Sequence, residues 1–112
     1  MIVTVFRQRT DPEFSGEYKD IGRAVVEAAP KIPGFISFKR FAADDGESCT
    51  IVEFEDLAAH NRWLADPIHR QAMSRGRESF FTEYTITVCE AIRVLRQHPE
   101  QHVTVLDHGE KR

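Results

Sequence analysis

Phe35-Ile-Ser-Phe-Lys-Arg-Phe-Ala-Ala43, then Asp44-Asp-Gly-Glu47, then Cys49-Thr-Ile-Val-Glu-Phe-Glu55 is the stretch on which the fold turns. The two outer runs are rich in aromatic and β-branched residues, and the Asp45-Gly46 dipeptide between them has the chemistry of a tight hairpin turn. Ile36, Phe38 and Arg40 are expected on one face of the first strand, with Phe35, Ser37, Lys39 and Phe41 on the other. In the second strand Thr50, Val52 and Phe54 oppose Cys49, Ile51, Glu53 and Glu55. Each strand is thus apolar on most of one face and mixed on the other.

Upstream of the hairpin, Phe14, Tyr18, Ile21, Val25, Ala28 and Ile32 recur at spacings of three and four, which predicts a helix over 15–30 with Ser15 as its N-cap. Pro30 and Pro33-Gly34 stop it. The β-branched run over residues 2–9 reads as a first strand. Downstream, Asp56 caps a helix that runs to Asp66, where Asp66-Pro67 begins a second helix extending to Arg75, with Gly76 as its end. Phe80 to Val94 alternates as one long strand.

The order β-α-β-β-α-β is that of a ferredoxin-like α+β domain over residues 1–95, an antiparallel sheet with helices on one face. Residues 96–112 follow as a tail that either pairs with a partner subunit or moves freely. Phe, Val and Ile occur at both strand phases, so the face away from the helices is also apolar, and a face-to-face homodimer would cover it.

At 112 residues and 41% hydrophobic the chain makes one domain, with no run long enough to span a membrane. A net charge of −3 removes the broad basic surface that nucleic-acid binding needs. Cys49 and Cys89 lack metal-ligand spacing and are expected as reduced thiols in the sheet or core, and His60, Asp66 and His69 match no recognised metal motif. No leader-like cleavage site follows the first apolar residues, so a cytoplasmic setting is expected.

Pro33-Gly-Phe-Ile-Ser-Phe-Lys-Arg-Phe41, the Asp-Gly-Glu turn, Ile51-Val-Glu-Phe-Glu55, Trp63, His69-Arg70, Arg75-Gly-Arg-Glu78 and Tyr84-Thr-Ile-Thr-Val-Cys-Glu90 together resemble antibiotic biosynthesis monooxygenase domains over about residues 1–94. The resemblance implies a dimeric α+β barrel and either cofactor-independent oxidation of a small aromatic or quinone-like molecule or haem degradation. Trp63 is similar to the helical tryptophan of the haem-degrading branch. That branch also carries a ligating histidine where this chain has Met73, and an asparagine on the first strand, where this chain has Phe6-Arg7-Gln8. Both departures weigh against haem.

If Asp66 caps its helix, His69 lies in the first turn, where the helix dipole favours a neutral imidazole able to accept a proton from a phenolic substrate. The alternative is a structural histidine at a helix end. Trp63, Phe38, Phe6, Met73, Phe80 and Phe81 either line a pocket for a planar ligand or simply fill the core. His60 is expected as a surface or edge residue rather than as a ligand. Two functions follow: an oxygenase without metal, flavin or other cofactor, in which His69 is the base and Trp63 the wall, or a non-catalytic homodimer that binds a small molecule in the same cleft.

Overall fold

A computed structural model describes residues 1–97 and the backbone of 104–107. Six strands and three α-helices follow in the order β1 (Ile2–Thr10), α1 (Ser15–Ala28), β2 (Phe35–Ala42), β3 (Ser48–Phe54), α2 (Leu57–Ala65), α3 (Pro67–Arg75), β4 (Phe81–Glu90), β5 (Arg93–Arg96) and β6 (Thr104–Asp107). The main sheet has the order β2-β3-β1-β4 with antiparallel neighbours throughout, as the ferredoxin-like reading requires. The hairpin turn forms where the sequence places it: Gly46 takes φ +93° and the Ala43 amide donates to the Glu47 carbonyl at 2.8 Å.

Local differences from the expectation have local causes. Ser15 lies inside α1 rather than capping it, because a short 3₁₀ turn, Pro12–Phe14, comes first and Asp11 accepts from the Glu13 amide. The helix yields to a second 3₁₀ turn, Ala29–Lys31, once Pro30 has removed a donor. Phe35 is not opposed to Phe38: a bulge between Phe35 and Ser37 seats Phe35 opposite Phe54 and Phe38 opposite Val52, so both rings face the helices. The expected long final strand is split. β4 stops at Glu90, the partner of Ile2 at the start of β1, and the Ala91 amide closes on the Met1 carbonyl.

Beyond that break, β5 pairs antiparallel with β6 within the same chain. Of the expected tail, residues 98–103 and 108–112 lie outside the described residues. Gly76 does not end α3 with a left-handed turn; its φ is −58° and a π-helical turn, Gly76–Phe80, continues to β4. Glycine is needed there because a Cβ would meet the Phe81 ring at 2.2 Å.

The core lies between the helices and the even-numbered face of β1 and β3. Val25, Ala29, Val52, Phe54, Ala59 and Trp63 form its buried centre, and Ile21, Ile32, Phe35, Phe38 and Ala72 pack around it. Arg75 ties the helical layer together, donating through Nε and Nη2 to the two Glu17 carboxylate oxygens at 2.8 and 2.9 Å. That two-point pairing, worth most where Arg is the donor, holds the Glu17 carboxyl below its usual range. Among the described residues no helix is long and apolar enough to cross a membrane.

Candidate functional site

A single-residue pivot creates the site's most distinctive contact. Asp66 ends α2 and caps α3, its carboxylate accepting from the Ile68 and His69 amides at 2.9 and 3.2 Å. Proline at the first position of α3 presets the backbone for that cap. The short connection folds α3 back so that the His69 ring lies on Trp63, with centroids 4.3 Å apart and planes 38° from parallel. Trp63 leans in turn on Phe54 at 6.1 Å, and the His60 ring meets Phe54 edge-on at 6.0 Å.

His60 is therefore not at the surface. Only 4% of it is exposed, because the helical period carries it to the same side as Trp63. The Nδ1 atoms of both His60 and His69 are buried without a hydrogen-bond partner. A buried polar atom in that state calls for a partner from outside the chain, a water or a ligand group.

Burial, more than the helix end, sets the protonation of His69. Removal from water lowers its pKa to about 4, the Asp66 carboxylate opposes that shift, and the neighbouring His60 adds to it. The ring is consequently neutral at pH 7. Between about pH 6.5 and 4 the unfolded chain binds a proton at His69 that the folded chain refuses, so lowering the pH through that window destabilises the fold. The expected loss across the window is about 3 kcal/mol. Urea unfolding at pH 7 and near the lower end of the window checks this: the wild type should lose that much more stability than His69→Gln, and equal losses would show that the ring titrates normally.

Above the sheet the helices leave a cleft of about 1300 Å³. All seven residues singled out in the sequence line it: His69, Trp63, Phe38, Phe6, Met73, Phe80 and Phe81. Trp63 and Phe80 are also buried core residues, so wall and core are the same side chains. Phe6 stands edge-on to Phe81 at 5.2 Å. The cleft opens over the edge strand β4, where Ile86 and Val88 remain 42% and 48% exposed.

Among the lining residues that the sequence reading did not place in the site are His60, Tyr18 and Arg40. The Tyr18 hydroxyl accepts from Gln8 Nε2 at 2.8 Å and from Arg40 Nη1 at 2.9 Å. The signal was present: Gln8 shares the phase of Phe6 and Arg40 that of Phe38, polar residues on the strand positions that face the helices. Cys49 is half-buried and Cys89 exposed, both as free thiols. Among the described residues no group of three or more His, Cys, Asp or Glu side chains is placed to hold a metal ion.

Known proteins share this architecture. The solved structure of an antibiotic biosynthesis monooxygenase superposes with a TM-score of 0.71 at 18% identity, covering 82% of this chain and 99% of that one. A protein from Deinococcus radiodurans described as a putative antibiotic biosynthesis monooxygenase gives 0.75 at 17% identity, covering 88% and 99%. SnoaB, a cofactor-independent oxygenase from Streptomyces nogalater, gives 0.68 at 18% identity in a mutant form, covering 89% and 97%. Identities this low establish the fold alone. In sequence, the uncharacterised protein YqjZ of Bacillus subtilis is 25% identical over 76 residues, 68% of this chain and 67% of its own length. The antibiotic biosynthesis monooxygenase family model matches residues 1–75, from β1 through the end of α3 and therefore including Trp63 and His69, and the chain belongs to that family.

Proposed function

We propose that the protein is a cofactor-independent monooxygenase that oxidises a small aromatic or quinone-like molecule in the cleft under α1, α2 and α3. The observation that carries this reading is the neutral, half-buried His69, its Nδ1 buried without a partner, lying on Trp63 in an aromatic-walled cavity. A planar substrate fits between such walls, and an imidazole kept uncharged is free to take its acidic proton. The description of SnoaB as a cofactor-independent oxygenase supports the same chemistry in this fold.

An imidazole with a pKa near 4 is a weak base toward a free phenol. It gains strength as the substrate oxygen becomes anionic beside it, because the forming ion pair offsets the desolvation that lowered the pKa. The resulting electron-rich anion reduces dioxygen itself: one oxygen atom enters the substrate as a carbonyl in place of two hydrogens, and the other leaves as water. Trp63, Phe6, Phe38, Met73, Phe80 and Phe81 hold the ring and keep bulk water from the intermediate. No step in this scheme requires a metal or flavin.

The working unit is proposed to be a cytoplasmic homodimer. Val3, Val5 and Ile51 lie on the sheet face away from the helices and are only half-buried in one chain, while Phe41 beside them is 46% exposed. Light scattering is expected to give twice the protomer mass; a monomer at micromolar concentration would refute the dimer. For the activity, purified protein stripped of metals should consume oxygen with an anthrone and release the corresponding anthraquinone, one oxygen atom entering the product and the other leaving as water. An electrode trace indistinguishable from the substrate's own autoxidation would refute the oxygenase and leave a binding protein.

A further inference from the structure

The chain carries more acids than bases, 18 against 15, yet the side chains around the cleft have the opposite balance. Lys19, Arg23, Lys39, Arg40, Arg70 and Arg77 line it, and no Asp or Glu does. Part of this charge is engaged locally: Arg23 pairs with Asp20 at 2.7 Å, and the Lys39 ammonium lies 5.5 Å from the centre of the Phe41 ring. Lys39 thus carries its charge to the opposite face of the sheet with Phe41, but the other five cations surround one apolar cavity, and a cleft lined by one sign of charge concentrates the opposite sign within it.

The Tyr18–Arg40 pair gives this field a point of attachment. A tyrosine hydroxyl has two acceptor sites and one proton. Both acceptor sites are filled, by Gln8 Nε2 and by the Arg40 guanidinium. Gln8 is held in that orientation, since its Oε1 accepts from the Thr10 hydroxyl at 2.6 Å and its side chain is 99% buried, with 1% relative exposure. The Tyr18 proton is therefore left for an acceptor outside this network, and Tyr18 faces the cleft beside Phe80 and Phe81, with ring centroids 5.7 and 5.9 Å away. Arg40 also lies 5.4 Å from the centre of the Tyr18 ring, so its charge is fixed next to that donor.

We infer that the natural ligand of the cleft is an aromatic carboxylate, with its ring among the Phe and Trp side chains and its carboxylate accepting from the Tyr18 hydroxyl and the Arg40 guanidinium. This rests on the reading of the cleft as a binding site for planar aromatics and narrows it to anionic ones. A carboxylate suits the pair because arginine presents parallel donors and the tyrosine adds a third, whereas an uncharged ring gains nothing from the surrounding cations.

Trp63 is the chain's sole tryptophan and lines the cleft, so quenching of its fluorescence reports occupancy directly. The probes are anthraquinone-2-carboxylate and anthraquinone-2-carboxamide, equal in shape and different in charge. At low salt the carboxylate should bind about tenfold more tightly, the margin expected of charge-assisted hydrogen bonds. The double variant Tyr18→Phe/Arg40→Gln should lose that margin, its affinity for the carboxylate falling far more than its affinity for the amide, which loses only neutral hydrogen bonds. Arg40→Gln alone, at an exposed position, should lose most of it and serves if the double variant does not fold. Equal binding of the two probes by the wild type, or a preference that survives in the variants, would overturn the carboxylate and leave the aromatic cleft standing. Binding of neither probe would overturn both.

Discussion

Replacing His69 by alanine is expected to lower kcat for oxygen uptake by a factor of about 10²–10⁴, the usual contribution of a positioned proton acceptor. Affinity for a non-reacting aromatic should change far less, because Trp63 remains seated on Phe54 and the other walls are untouched. The pH profile distinguishes proton transfer from mere packing. The group must be neutral to act, and burial holds it so down to about pH 4, so kcat/KM of the wild type should stay level through the range in which an exposed histidine titrates and fall only near pH 4. An acid limb near 6.5, or a His69→Ala enzyme with unchanged kcat, would remove His69 from the chemistry.

Gly34→Ala is expected to destabilise the fold by about 3–4 kcal/mol, from two independent causes. Gly34 has φ +91°, where a side chain costs roughly 1–2 kcal/mol. A Cβ there would also stand 2.5 Å from the Ala59 Cβ, and Ala59 is wholly buried at the start of α2. Relief by backbone movement is restrained because the Gly34 carbonyl accepts from the Glu55 amide at 2.8 Å. Gly22→Ala is the control: it lies within α1 with nothing within 4 Å of its added Cβ, and it should stabilise by up to about 1 kcal/mol. Urea unfolding of the two variants against the wild type tests the pair; a Gly34→Ala protein as stable as the wild type would mean that the α2 end gives way freely.

The fold was legible because its signals were redundant. Asp45-Gly46 marked the hairpin, Asp56 and Asp66-Pro67 marked two helix starts, and strand alternation put Thr50, Val52 and Phe54 on one common face, which the structure turns to the helices. What escaped depended on partners distant in sequence. The bulge at Ile36 is a matter of how β2 meets β3, and the end of β4 is set by where β1 begins. In the site, Trp63 and His69 were identified from their helices, but their stacking depends on the angle at Asp66, which alternation and spacing do not contain. His60 was misplaced because histidine is polar enough to read as a surface residue, although its helical position matched that of the apolar face. Tyr18 and Arg40 are 22 residues apart and meet only once α1 lies across β2.

The position of β1 inside the sheet also bears on how the protein is made. This strand leaves the ribosome before the other strands of its sheet, yet it is flanked by β3 on one side and β4 on the other, with Ile2 paired to both Phe54 and Glu90. Its contacts are therefore almost all distant in sequence, the topology associated with slow folding. At ordinary synthesis rates of about 5–20 residues per second, roughly 4–18 s separate the appearance of Ile2 from that of Glu90. Throughout that interval the nascent Ile2-Val-Thr-Val-Phe6 segment has at least one unpaired edge, which makes it the natural target for a chaperone and, in any product truncated before β4, a seed for intermolecular strand pairing.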